Sequence, residues 1–269
     1  MTEVSSPTQA RIDALMAVGT VKVWSVVVTV MGDLCRAPED RLSGRVLDRL
    51  MGPMGINNQA LRTALHRLKR DGWIEATRDG RGSNYALTPE GRGRTESVRA
   101  LIYAEGPSPA QPVHLLTPAP DATVADWAEG LPDDAILLPA RTALLAGPLL
   151  ALPAGTLVTT LGDTPLPDWA RDAIASADLC AEYARLAKAV DRALADALTG
   201  DPAAGSTGRT ILRLAAFHHY RRLRLRHGPL PDLLLGPDWP GAIARTGVMT
   251  LLRACPRPDL ADLHEVHAI

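Results

Sequence analysis

A mostly helical protein with small α+β parts is what this sequence predicts, and three observations lead there. Hydrophobic residues make up 46% of the 269 positions and aromatics only 4%, so the core must be built from Leu, Val and Ala, a composition that leans to helix. Long stretches place their apolar residues at the i, i+3, i+4, i+7 spacing of an amphipathic helix. Between them lie short β-like runs bounded by Gly and Pro.

Residues 1–9 read as a frayed polar arm. Val21 to Leu34 is β-branched enough for a strand. Val23, Trp24, Val27, Val30, Met31 and Leu34 nevertheless keep helical spacing, and the periodicity predicts a helix. A second short helix fits Ser43 to Met51, broken by Gly52-Pro53-Met54-Gly55. A third runs from Asn58 to Arg70, with Asn57 placed to cap it and Gly72 to end it. Strand-like pieces at Trp73–Thr77 and Ser83–Leu87 flank the turn Arg78-Asp79-Gly80-Arg81-Gly82. Thr88-Pro89 then reads as an N-cap and first helical position, opening a helix to about Tyr103.

The prolines between Glu105 and Pro112 mark a boundary. Short apolar runs follow at Val113–Leu116, Ala135–Leu138 and Leu157–Leu161, with a helical stretch at Val124–Glu129. Asp168 to Leu198 is helical in pattern, Gly200 to Gly208 a loop, Thr210 to about Arg226 helical, Gly228 to Gly241 irregular, and Ala242–Arg253 a last helix. The expected division is 1–104, 105–165 and 166–269.

Three helices, a tight hairpin and a following helix, in that order, form the layout of an N-terminal winged helix-turn-helix. Rotating the third helix at about 100° per residue puts Leu61, Ala64, Leu65 and Leu68 on one face. Gln59, Arg62, Thr63, His66, Arg67 and Arg70 occupy the other, with no carboxylate before Asp71. Arg reads guanine and Gln or Asn reads adenine by paired hydrogen bonds, so Asn58, Gln59, Arg62 and Thr63 are candidates for entering a major groove. Arg67, Arg70, Arg78 and Arg81 are better placed for phosphates. A solvated helix and hairpin would account for each element singly; their joint occurrence points to double-stranded DNA.

Charge is distributed to match. Residues 1–100 hold 15 Lys or Arg against 11 Asp or Glu, and the remainder 14 against 19, for a net −1 overall. The three cysteines, Cys35, Cys180 and Cys255, are far apart and form no metal or disulfide pattern, which favours a reducing cytoplasm. Residues 1–20 do not read as a signal peptide, and the most apolar run, Val23 to Leu34, is too short to span a bilayer, so a soluble chain is expected.

The stretch from Gly55 to Trp73, with Leu61-Arg62-Thr63-Ala64, Arg67-Leu68 and Gly72-Trp73, resembles the recognition helix of PaaX-like repressors of phenylacetate catabolism. Tyr85-Ala86-Leu87-Thr88-Pro89-Glu90-Gly91-Arg92 resembles that family's exit from the wing. Downstream, His218-His219-Tyr220-Arg221-Arg222, Leu230-Pro231 and Asp238-Trp239-Pro240-Gly241 resemble its C-terminal signature, with His219 where Glu is usual. The resemblance implies a ferredoxin-like middle unit, although the Trp-rich segment that usually opens it is missing near Pro112–Thr117. It also implies a homodimer that represses a catabolic operon and is released by an aryl-CoA thioester such as phenylacetyl-CoA. The basic helix carrying His218, Arg221 and Arg222 offers a place for the thioester's phosphates; pairing of those arginines with nearby carboxylates is the competing reading.

Other signals are weak. The glycines of 200–207 lack the lysine of a P-loop, and Asp259, Asp262, His264, Glu265 and His267 read as a solvated tail rather than a metal site. No nucleophile motif or catalytic grouping is present, so no enzyme, cofactor or metal is expected. Two rivals stand beside the regulator: a winged-helix protein with a nuclease-like C-terminal part, and a DNA-independent scaffold.

Overall fold

The computed structural model describes residues 5–80, 82–139, 141–162, 165–197 and 206–265. It begins with helix α1, Ser6–Met16, where the sequence read a polar arm. Pro7 fits the first turn, which needs no amide from it, and Thr8, Ile12 and Leu15 are buried against the C-terminal helices. Only the packing partner reveals that face.

Helix α2, Val23–Leu34, forms despite its valines because Val26 through Met31 are buried all round. Strand β1, Leu42–Ser43, leads into α3, Gly44–Met51, whose Val46 amide donates to Ser43 Oγ (3.2 Å). A 3₁₀ turn at Gly52–Met54 ends in Gly55 at φ 77°, and α4 spans Asn58–Arg70. Asn57 caps α4 by accepting from the Ala60 amide (2.8 Å), and Gly72 at φ 72° turns the chain out of it.

Strands β2, Ile74–Asp79, and β3, Gly82–Leu87, pair antiparallel from Ile74↔Leu87 to Asp79↔Gly82, and β1 pairs with the other edge of β3. Helix α5, Pro89–Ser97, is capped by Thr88, whose hydroxyl accepts from the Gly91 amide (2.9 Å) and donates to the Gly72 carbonyl (2.6 Å). The helix expected to reach Tyr103 breaks at Val98, and α6, Arg99–Ile102, follows as a separate turn. Gly91 is fixed sterically: a Cβ there would lie 2.1 Å from the Trp73 carbonyl oxygen. Gly91→Ala is therefore expected to destabilise the fold by about 2–3 kcal/mol in urea unfolding. A change under about 0.5 kcal/mol would show that the Trp73 backbone yields.

The middle of the chain holds β4 Val113–Thr117, α7 Val124–Glu129, β5 Ile136–Leu138, β6 Thr142–Ala146 and β7 Leu157–Thr160. The sheet runs β5-β6-β4-β7 and every described pair is antiparallel. Strand β6 was not expected, because its Ala-Leu composition favours helix and only the pairing partners override it. Its residues alternate: Leu144 and Ala146 join the main core, while Ala143 and Leu145 pack with Leu116 and Trp127 on the opposite side.

The C-terminal part is helical: α8 Asp168–Ile174, α9 Ala177–Ala197, α10 Ser206–Arg224, α11 Leu230–Leu234, α12 Pro240–Ala254 and α13 Leu260–Glu265. The single helical stretch read from Asp168 is interrupted at Ala175 (φ −139°), and the irregular stretch 228–241 contains α11. Most of the P-loop-like glycine stretch lies outside the described residues. Helix α10 is buried along most of its length between α9, α12, α1 and α2, so one core cluster runs from Ile12 to Leu263.

Candidate nucleic-acid interface

Helix α4 buries the face its period predicts. Leu61, Ala64, Leu65 and Leu68 are in the core, while Asn58, Gln59, Arg62, Thr63, His66, Arg67 and Arg70 are exposed. Their partners sort them into groups. Arg70 and Arg67 both reach Asp71 (3.1 and 3.4 Å), and these contacts, Arg70's hydrogen bond first, hold the Asp71 carboxyl below its usual range. Arg67 also lies over the Trp24 ring at 5.1 Å. Asn58 donates to Asp48 (2.8 Å), and the Thr63 hydroxyl donates to the Gln59 carbonyl (3.0 Å). Gln59, Arg62 and His66 have no side-chain partner among the described residues, which leaves their donors and acceptors open to an incoming ligand.

A cleft of about 550 Å³ runs between α3, α4, β3 and α13, and Arg62 and Asn58 line it together with Arg45, Ser83, Asn84 and His264. Arg45 was not singled out from sequence, although its exposed place on α3 beside buried Val46 and Leu47 could have revealed it. His264 had no such signal. It reaches the cleft because α13 docks: Leu263 is buried, the Arg49 guanidinium donates to the Leu263 carbonyl, and His264 Nε2 lies 3.2 Å from the Arg41 carbonyl. The C-terminal segment through His264 is thus packed, where the sequence read a solvated tail; His267 lies outside the described residues. On the hairpin, Arg78 is exposed, and Arg81 lies outside the described residues.

The second predicted cluster is dispersed by its partners. His218 and His219 are fully buried, with His218 Nδ1 3.1 Å from Thr29 Oγ1. Burial, with the neighbouring positive charges, pushes their imidazoles down to about 3 and about 4. Arg222 and Arg226 do project together at i, i+4 spacing, but onto Glu182 (2.5 and 2.6 Å). Burial opposes ionisation of Glu182, and the two hydrogen bonds outweigh it, leaving its carboxyl below the usual range. Arg224 and Arg245 share the buried Asp232 (3.9 and 2.6 Å). Arg221 makes one long contact, 3.5 Å to Thr29 Oγ1, and has no carboxylate within ion-pair distance among the described residues. No group of three or more candidate metal ligands occurs among the described residues, and no helix is long and apolar enough to cross a membrane.

Comparison with known proteins adds two family matches. Residues 22–91 match the family described as PaaX-like protein, and residues 174–258 match the PaaX-like protein C-terminal domain. The chain is 29% identical over 109 residues to the transcriptional repressor PaaX of Escherichia coli. That match covers 40% of this chain and spans only a third, 33%, of the repressor's length. Among solved structures, uncharacterized protein Rv0674 from Mycobacterium tuberculosis is 20% identical, with a TM-score of 0.44 over 89% of this chain and 97% of that one.

Proposed function

The chain belongs to the PaaX-like protein family, and on that premise we propose that it is a DNA-binding transcriptional repressor acting through an N-terminal winged helix-turn-helix. The observation that carries this is the open face of α4: Gln59, Arg62 and His66 are exposed and unpaired beside a hairpin bearing Arg78. In this reading α3 is the supporting helix, α4 enters the major groove and β2–β3 is the wing. Arg62 reads a guanine edge with its guanidinium fork and Gln59 an adenine, while Arg45, Arg67, Arg70 and Arg78 meet phosphates.

The regulated genes are those of phenylacetate catabolism, and an aryl-CoA thioester releases the repressor, which works as a homodimer. Residues 105–165 link the DNA-binding part to a C-terminal helical part that senses the ligand and dimerises. The antiparallel β5-β6-β4-β7 order supports a ferredoxin-like middle unit, with the single helix α7 where that fold carries two.

The test is a mobility-shift titration on an operator recovered by selection from random duplexes. Arg62→Ala is expected to weaken operator binding by about 1–3 kcal/mol and leave binding to random DNA nearly unchanged. Equal loss on both would make Arg62 a phosphate contact. A wild-type chain with no salt-dependent affinity for any duplex would overturn the reading altogether.

A further inference from the structure

Among the described residues, Arg221 is a recessed cation without an acid. Its guanidinium lines a narrow crevice between α2, α6 and α10, walled by Val28, Val98, Ile102 and Phe217 and with room for about one water molecule. Burial lowers its pKa. A charge in such surroundings is costly unless something pairs with it.

The crevice shares Tyr103 and Arg99 with a wider cleft that Arg36, Arg213 and Arg257 also line. Carboxylates do not balance this cleft. Asp33 is saturated by Arg213 (2.7 and 2.9 Å) and the Tyr103 hydroxyl (2.5 Å), with Arg36 3.8 Å away. Glu96 pairs with Arg99. Arg257 is exposed and has no hydrogen bond or ion pair among the described residues. Among the described residues, five guanidiniums therefore meet two carboxylates around one tyrosine.

We propose that this cleft binds a small phosphate-bearing organic anion, gripped by Arg36, Arg99 and Arg257 with Arg221 behind them, and that it is the regulatory site of the protein. The regulatory part rests on the reading of the chain as a ligand-released repressor. Guanidinium forks match phosphate oxygens two at a time, and several forks in one concavity suit a multiply charged group better than a lone carboxylate. A duplex backbone is a poorer occupant, because Arg213 and Arg221 are recessed and phosphates on a rod meet protruding groups. Position gives the site its leverage. Helix α6 follows the hairpin through α5, which Thr88 and Gly91 lock onto Gly72 and Trp73, while Phe217, Arg213 and Arg221 belong to α10. An anion bridging Arg99 on α6 to Arg36 after α2 and Arg257 after α12 favours one relative position of these elements, and so of the hairpin.

The experiment is isothermal titration of the full chain, without DNA, using inorganic pyrophosphate as the probe. One saturable site is expected, weakened about tenfold or more by Arg257→Ala and by Arg99→Ala, and unaffected by Arg171→Ala on the exposed side of α8. Arg221→Met is expected to weaken binding several-fold while keeping or raising the Tm, since replacing a half-buried charge that lacks an acidic partner among the described residues by an apolar chain relieves its desolvation. No saturable heat at millimolar pyrophosphate would overturn the proposal, as would equal weakening by Arg171→Ala. So would unchanged pyrophosphate binding in Arg257→Ala with a shallower salt dependence on duplex DNA, which would assign the cleft to the DNA backbone. Duplex binding by the same wild-type preparation is scored separately, so loss of the DNA-binding reading and loss of the anion site give different results.

Discussion

Asp33→Ala is expected to cost about 3–5 kcal/mol of folding free energy. Asp33 lies on α2 with its side chain fully shielded, and the Arg213 guanidinium from α10 grips it through both oxygens at 2.7 and 2.9 Å. The remaining Arg213 donor reaches the Leu252 and Cys255 carbonyls at the end of α12 (2.9 and 3.1 Å). Tyr103 donates its hydroxyl to the same carboxylate, and burial together with Asp33 pushes the phenol well above its usual range. Removing the carboxylate strands a buried guanidinium, and that uncompensated charge is where the energy goes. The double replacement Asp33→Ala with Arg213→Met should cost much less than the sum of the single changes, because neither charge is then left alone. Urea unfolding of the four proteins closes the cycle. A single Asp33→Ala loss below about 1 kcal/mol, or additivity in the cycle, would mean water replaces the partner and the pair is not a joint between α2, α10 and α12.

What could be read from the sequence was what neighbours along the chain decide. Helix α4 was legible to its ends because Leu61, Ala64, Leu65 and Leu68 repeat with the helix and Asn57 supplies a local cap. Thr88-Pro89 marked the start of α5 for the same reason, and Arg62 could be assigned to the open face by rotation alone. Features made by distant partners stayed hidden. Nothing near Ser6 announces that Ile12 and Leu15 pack against helices some two hundred residues later. The arginines of α10 and of the turn after it were visible as a charge cluster, but only the fold reveals that Glu182 takes Arg222 and Arg226, Asp232 takes Arg224, and Arg221 is left without an acid among the described residues. Arg45 and His264 reach the cleft beside Arg62 through the docking of α3 and α13, which no periodicity encodes.

Acidification from pH 7.5 to pH 5 is expected to remove about 4 kcal/mol of stability, and the cause is the buried pair His218–His219. Their rings stand edge to face with centroids 5.2 Å apart, and His218 Nε2 and both nitrogens of His219 have no hydrogen-bond partner among the described residues. Burial is the main reason that both titrate far below normal, at about 3 and about 4, with His219, Arg221 and Arg222 adding to the effect on His218 and Arg222 to that on His219. The sign follows from proton counting. In the unfolded chain each imidazole takes up a proton near pH 6.5, whereas the native protein keeps both neutral, so the unfolded state gains protons first. Stability is therefore full above about pH 6.5 and falls as the pH drops toward the native values, by up to about 1.4 kcal/mol per unit for each ring. His227, also depressed by burial, acts in the same direction. The ion-paired carboxylates Glu182 and Asp71 weaken the fold only at lower pH, because their pKa values are held down, so the interval between pH 6.5 and 5 reports the histidines. Urea unfolding across that interval should show the loss, and His219→Phe should remove roughly half of the slope contributed by the pair. If the wild-type loss is under about 1 kcal/mol, or the variant keeps the full slope, the two imidazoles are hydrated and protonate in place.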